Sequence, residues 1–192
     1  MTTAGPNSPG TMARVSDGGA VAWSNWDDAK TSDNAYATAL IASGDATTWI
    51  LQATNFGFAI PTGATINGVA VSVERRAISS TGSYVVDHTI KLYKGGVLSG
   101  DNKADTTTKW PTSDGSVSYG GAADLFGITL TADDVNAADF GVGLKSRLVR
   151  SGKGLTYAYV DHITITVTYT EGGGAPASVP RPPAALDCLM VY

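Results

Sequence analysis

The chain has 192 residues, 43 % of them apolar and 16 % charged, with a formal net charge of −4. That is enough for one well-buried domain with appendages, and it excludes a disordered polyampholyte; no run approaches the ~20 consecutive apolar residues that a membrane-spanning helix needs. Thirteen basic against 17 acidic residues, with no dense Lys/Arg patch, argue against nucleic acid as a partner, and the single cysteine, Cys188, excludes an intramolecular disulfide.

Only Glu74 and Glu171 are glutamates; the other acidic residues are aspartates, which suit turns and caps better than helix interiors. With 23 glycines and short bursts of Val, Ile, Thr and Tyr, the usage is that of an all-β chain. Residues 1–19, with Pro6, Pro9 and several glycines, read as an extended N-terminal arm. A first strand is expected over Ala20 to Trp23, a second over Tyr36 to Ile41 and a third within Trp49 to Phe58. Val69, Val71 and Val73 then alternate with Ala70, Ser72 and Glu74, the mark of a half-buried strand.

The next alternation puts Val86, His88, Ile90 and Leu92 on one face, and Gly95-Gly96 offers a two-residue hairpin turn into Val97-Leu98. Ser99 to Ser113 is the longest loop expected inside the core. Val117 to Tyr119 and Leu125 to Leu130 read as short strands, and Thr131-Ala132-Asp133-Asp134 has the form of a helix N-cap. Phe140 to Leu148 and Ile163 to Tyr169 close the series. About eight short strands with turn signals between them predict an antiparallel β-sandwich of jelly-roll type over residues 20–170. Residues 171–183 (Glu171, a glycine run, then Pro176, Pro180, Pro182 and Pro183) read as a hinge and spacer. The apolar stretch 184–192 reads as a docking peptide, with Leu186, Leu189, Met190, Val191 and Tyr192 as its contact residues.

Catalytic motifs are absent: there is no Gly-x-Ser-x-Gly in a strand-turn-helix context, no His-Glu-x-x-His and no Walker-type glycine loop. The two histidines repeat a tripeptide, Val86-Asp87-His88 and Val160-Asp161-His162. A metal or acid–base pair would need both imidazoles to converge, but their strand phases differ, so a strand-entry role with local hydrogen bonds is expected instead. The aspartates at Asp27-Asp28, Asp101 with Asp105, and Asp133-Asp134 are of the type calcium takes, yet none has EF-hand spacing; turns and caps account for them, and no cofactor is expected. Trp23, Trp26 and Trp110 read as core and interface packing, with a sugar-stacking platform built on their rigid indole faces as the alternative.

The runs Gly5-Pro6-Asn7-Ser8-Pro9-Gly10, Ala22-Trp23-Ser24-Asn25, Asn55-Phe56-Gly57-Phe58-Ala59-Ile60-Pro61-Thr62-Gly63, Val97-Leu98-Ser99-Gly100-Asp101-Asn102 and Val160-Asp161-His162-Ile163-Thr164-Ile165 resemble those of β-sandwich virion proteins encoded by tailed bacteriophages. The likeness spans roughly Gly5 to Thr170 and leaves out the segment from Gly172 onward. It implies a non-enzymatic minor structural protein, with other virion proteins as partners, assembled as a homo-oligomer. A capsid decoration or cement role, anchored by the terminal arms, is the expectation; a tail-tip or fibre-associated carbohydrate-binding module for host recognition is the alternative. The expected location is the virion after synthesis in the host cytoplasm, since Met1 to Pro6 lacks the layout of a secretory signal.

Overall fold

The computed structural model describes residues 1–172. Its strands are β1 (Thr2–Asn7), β2 (Thr11–Val15), β3 (Ala37–Ile41), β4 (Ala46–Thr47), β5 (Ile50–Thr54), β6 (Thr65–Ser79), β7 (Tyr84–Lys94), β8 (Val97–Ser99), β9 (Gly115–Gly120), β10 (Gly141–Val149) and β11 (Thr156–Thr170). Among the described residues, helical structure is confined to a 3-10 turn at Trp26–Ala29 and to α1 (Ala132–Asn136). At α1 the expected cap is present: the Thr131 hydroxyl accepts from the Asp134 N–H at 3.1 Å, and the Asp134 carboxylate accepts from the Thr131 N–H at 2.8 Å.

One sheet runs β1-β11-β6-β9, with β3 also on β11; the other runs β2-β5-β10-β7-β8, with β4 also on β10. All of these strand pairings are antiparallel. Without β1, β2 and the two-residue β4, eight strands remain. In chain order they lie first-eighth-third-sixth in one sheet and second-seventh-fourth-fifth in the other, which is the double Greek key of a jelly roll. Neighbours in sequence therefore tend to lie in opposite sheets; the β7–β8 hairpin is an exception, closed by Gly95 and Gly96 at φ 58° and 72°.

Alternation makes the core. Val69, Val71, Val73, Ile163, Ile165 and Val167 face inward from the first sheet, against Leu51, Ile90, Leu92, Val142, Leu144 and Leu148 from the second. Gly141, the first residue of β10, passes so close to the Ala53 carbonyl that a Cβ there would overlap it. Gly141→Ala is accordingly expected to cost about 1–3 kcal/mol, read as a lowered urea midpoint at unchanged slope.

Several expectations are corrected. Residues 1–19 are not an arm: β1 pairs with β11 and β2 with β5, so the sandwich begins at Thr2. Pro6 and Gly5 looked like loop signals, but proline is tolerated on an edge strand, and β1 lies on the edge. Ala20 to Trp23 makes only an isolated bridge, Val21 to Thr48. Leu125 to Leu130 forms turns rather than a strand; Phe126 sits at φ 56° with its N–H donating to Asp124 Oδ1.

The Val-Asp-His repeats lie inside β7 and β11 rather than at strand entry, and each marks a shift of register. In β7 the shift falls between Asp87 and Thr89, so Asp87 turns inward while His88 is exposed instead of sharing a face with Ile90. In β11 it falls at Asp161, and the inward parity changes from Ala158 and Val160 to Ile163 and Ile165. Residues 173–192, which hold most of the spacer and all of the docking-peptide residues Leu186, Leu189, Met190, Val191 and Tyr192, lie outside the described residues.

Candidate functional site: an aromatic face on the first sheet

The parity change at Asp161 sends Tyr157 and Tyr159 outward, onto the solvent face of the first sheet. Register places Leu40, Tyr157 and Ile78 in one row across β3, β11 and β6, and Thr38, Tyr159 and Arg76 in the next. The Tyr157 and Tyr159 rings stack at 5.6 Å with an interplanar angle of 13°, and Tyr36 meets Tyr159 edge-on at 5.4 Å. The Arg76 guanidinium lies 4.5 Å from the Tyr36 ring centroid and 5.0 Å from that of Tyr159.

Asp114 pins this cluster at its rim: its carboxylate is 3.5 Å from Arg76 Nε and accepts from the Tyr36 hydroxyl at 3.0 Å. Burial, with Asp114 beside it, raises the Tyr36 phenol above its ordinary range, and burial does the same for Tyr159. Both rings therefore stay neutral near pH 7. Around them Leu40, Ile78 and Leu155 are 41 %, 46 % and 43 % exposed, three of the five large apolar side chains most open to water among the described residues. Contiguous apolar surface rimmed by charge, rich in Tyr and Arg, is the composition of a docking surface. The rest of this sheet face is different in kind, with Ser72, Ser116, Ser118, Thr164 and Thr166 carrying small hydroxyls.

No family model matches this chain, and no curated protein matches it. A solved structure titled "CBM4 structure and function" is similar at a TM-score of 0.35 and 15 % identity, covering 70 % of this chain and 85 % of that one.

The residues singled out from sequence are dispersed. Trp23 is fully buried, its Nε1–H donating to the Trp49 carbonyl at 2.9 Å, and Trp110 is buried against Arg75. Trp26 is half-buried with the Arg14 guanidinium 4.4 Å from its ring centroid. These side chains are used for packing, and they do not form the alternative indole platform. His88 and His162 belong to opposite sheets: His88 Nδ1 meets the Thr89 hydroxyl at 2.9 Å, and His162 Nε2 meets that of Ser8 at 2.8 Å. The aspartates work locally. Asp27 pairs with Lys30, Asp134 caps α1, and the Asp105 carboxyl is held below the usual range by the hydroxyls of Thr108 and Thr107, then by their N–H groups.

Asp161 is the exception. Burial, then the charge of Glu74, raises its carboxyl, although it accepts from the Asn34 N–H at 3.0 Å. Over the window between the ordinary carboxylate value of about 3.9 and this raised value, the folded chain holds a proton that the unfolded chain has released. Stability is therefore lost as pH rises through that window. Asp161→Asn keeps an acceptor for Asn34 and removes the charge. It is expected to match or exceed wild type in urea midpoint at pH 7, with the gap closing at pH 3.5; a variant less stable at pH 7 alone would contradict this.

The sequence missed the inward cluster below this face. Arg75 and Asp87 are 2 % and 1 % exposed and form an ion pair bridging β6 and β7, hence the two sheets. Asp87 also accepts from Trp110 Nε1–H and from the Tyr119 hydroxyl, each at 2.7 Å, and from the Asp105 N–H at 3.2 Å. Arg75 donates to the Tyr119 hydroxyl oxygen and lies over the Trp110 ring at 4.6 Å. Burial pushes the Tyr119 phenol far above its ordinary range, so it remains a donor to Asp87. This cluster is a fastening between the sheets.

Proposed function

We propose that the chain is a non-enzymatic structural component of a bacteriophage virion, a decoration protein that seats on its particle through the Tyr36/Tyr157/Tyr159 face. The observation that carries this is the clustering of exposed apolar side chains with half-buried tyrosines and Arg76 on one rigid sheet face. Aromatic rings lose little conformational freedom on docking, and Arg adds planar hydrogen bonding, so such faces supply binding energy without a cavity. The described residues enclose no pocket, which fits a surface that works by contact. The resemblance to tailed-phage sandwich proteins supplies the kind of partner, and many copies on one particle turn modest contacts into firm attachment.

A second reading, a carbohydrate-binding module for host recognition, draws on the same rings, since Tyr157 stands beside the polar groups of Arg76 and Asp114. Co-sedimentation separates the two. The full chain is expected to pellet with particles of its phage and to stay bound in the presence of free oligosaccharides. A chain that stays in the supernatant, or is released by a glycan, would overturn the decoration role.

A further inference from the structure

The edges of the two sheets are not alike. β1 carries Pro6 and a register shift between Ala4 and Asn7, and on β3 the outward groups of Thr38 are taken by Ser24, through N–H to carbonyl bonds of 2.8 and 2.9 Å. β8 is three residues long, and β2 carries Arg14, folded over Trp26. Such devices keep a strand edge from pairing with another chain. Strand β9 has none of them: Gly115-Ser116-Val117-Ser118-Tyr119-Gly120 contains no charge and no proline, and its register on β6 is uninterrupted. Among the described residues it has a strand neighbour on one side only. The Gly121 N–H donates to the Val69 carbonyl at 2.9 Å, so by alternation the groups of Tyr119 and Val117 also point at β6, while those of Ser116 and Ser118 point away. Both serines are exposed, and Val117 between them is half-buried.

We infer that β9 pairs antiparallel with β9 of a second copy of this chain, about a two-fold axis that passes beside Val117 normal to the sheet. The backbone sets this register. With Val117 opposite its own copy, Ser116 of each chain becomes the hydrogen-bonded partner of Ser118 in the other, so each edge satisfies its twin. Val117 then meets Val117 on the inner side, and serine hydroxyls meet on the outer side, where cross-strand hydroxyl pairs are favourable. Asp114, the charge next to the strand, falls opposite Gly120 of the second copy, so no like charges face each other over positions 114–120. A second copy fits better than a foreign peptide. Capture of an extended segment at a sheet edge draws its specificity from pockets for alternate side chains, and the described residues enclose no pocket. The contact is six residues long on each side and falls short of the ~1,200 Å² of a stable complex, so the dimer forms in the micromolar to millimolar range. An axis normal to the sheet leaves the outer faces of both copies on one side, and the two Tyr157/Tyr159 clusters share a single surface. The pairing itself rests on the edge alone, independently of the decoration role.

Sedimentation equilibrium of the full chain from micromolar to millimolar concentration tests this. Wild type is expected to pass reversibly from monomer to dimer. Over the same range the Ser116 and Ser118 amides should slow in exchange about tenfold, while the exposed loop amides at Gly152 and Lys153 stay unchanged. Ser116→Lys with Ser118→Lys sets like charges opposite each other and should weaken the dimer about tenfold or more. Ser116→Lys with Ser118→Glu sets opposite charges at the same two exposed sites and should dimerise at least as well as wild type. Thermal melting checks that the two variants fold alike. A wild type that stays monomeric throughout overturns the inference, whatever else covers the edge. A dimer indifferent to both charge patterns overturns it too, because that dimer is joined elsewhere.

Discussion

Replacing Tyr157 and Tyr159 together by serine is expected to weaken particle binding by roughly 30-fold to 700-fold while leaving a folded sandwich. The range follows from about 2–4 kcal/mol for removing a pair of aromatic anchors, at 1.4 kcal/mol per factor of ten. Both rings stand on the solvent face, with Ala158 and Val160 filling the inward positions between and beyond them, so the core is untouched. Ser72→Ala, on the hydroxyl-bearing part of the same sheet face, should bind as wild type does. Loss of binding in both variants would mean that the whole face, or none of it in particular, makes the contact. Full binding by the tyrosine variant would remove the face from the proposed function.

Asp87→Leu should be the most damaging single substitution in the fold. It leaves the Arg75 guanidinium buried without its carboxylate, and it orphans the donors of Trp110 and Tyr119 at the same time. Breaking one side of a buried pair costs about 3–5 kcal/mol, which for a domain of this size lowers Tm by roughly 6–20 °C. Arg75→Met should cost less, because Asp87 keeps three hydrogen-bond donors in Trp110, Tyr119 and the Asp105 N–H. The double variant should fall well short of the sum of the two, with a coupling of about 1–3 kcal/mol in a denaturant cycle. Additive losses would mean that the two residues act separately and that the ion pair does not fasten the sheets.

Alternation in the sequence located the inner strands because burial on one face forces period two: Val69 to Glu74 and Ile163 to Tyr169 were read in the right phase. It stopped where a bulge changes parity. Tyr157 and Tyr159 precede the shift at Asp161, so a pattern extended backwards from Ile163 places them out of phase and hides the outward aromatic pair. The same effect at His88 hid Asp87, whose inward turn makes it the partner of Arg75. The tryptophans left two readings open for another reason. An indole is as useful in a core as on a platform, and which role it takes depends on neighbours such as Arg75 and Arg14 that are remote in sequence. The first two strands were illegible because edge strands bury little and so carry little pattern.

The positions of β10 and β11 set the order in which this protein can be made. Among the described strands these are the last two to leave the ribosome, yet β10 lies between β5 and β7, and β11 lies between β6 and the β1/β3 side of its sheet. Until they emerge, neither sheet has its middle, and β5, β6 and β7 offer unpaired edges to any other nascent chain nearby. Closure then joins Thr2 to Tyr169 across almost the whole polypeptide, a pairing of the non-local kind that folds in milliseconds to seconds rather than microseconds. Folding of the sandwich therefore waits on β10 and β11, and chains that still lack them form a pool of open half-sandwiches whose survival depends on how quickly these two strands arrive.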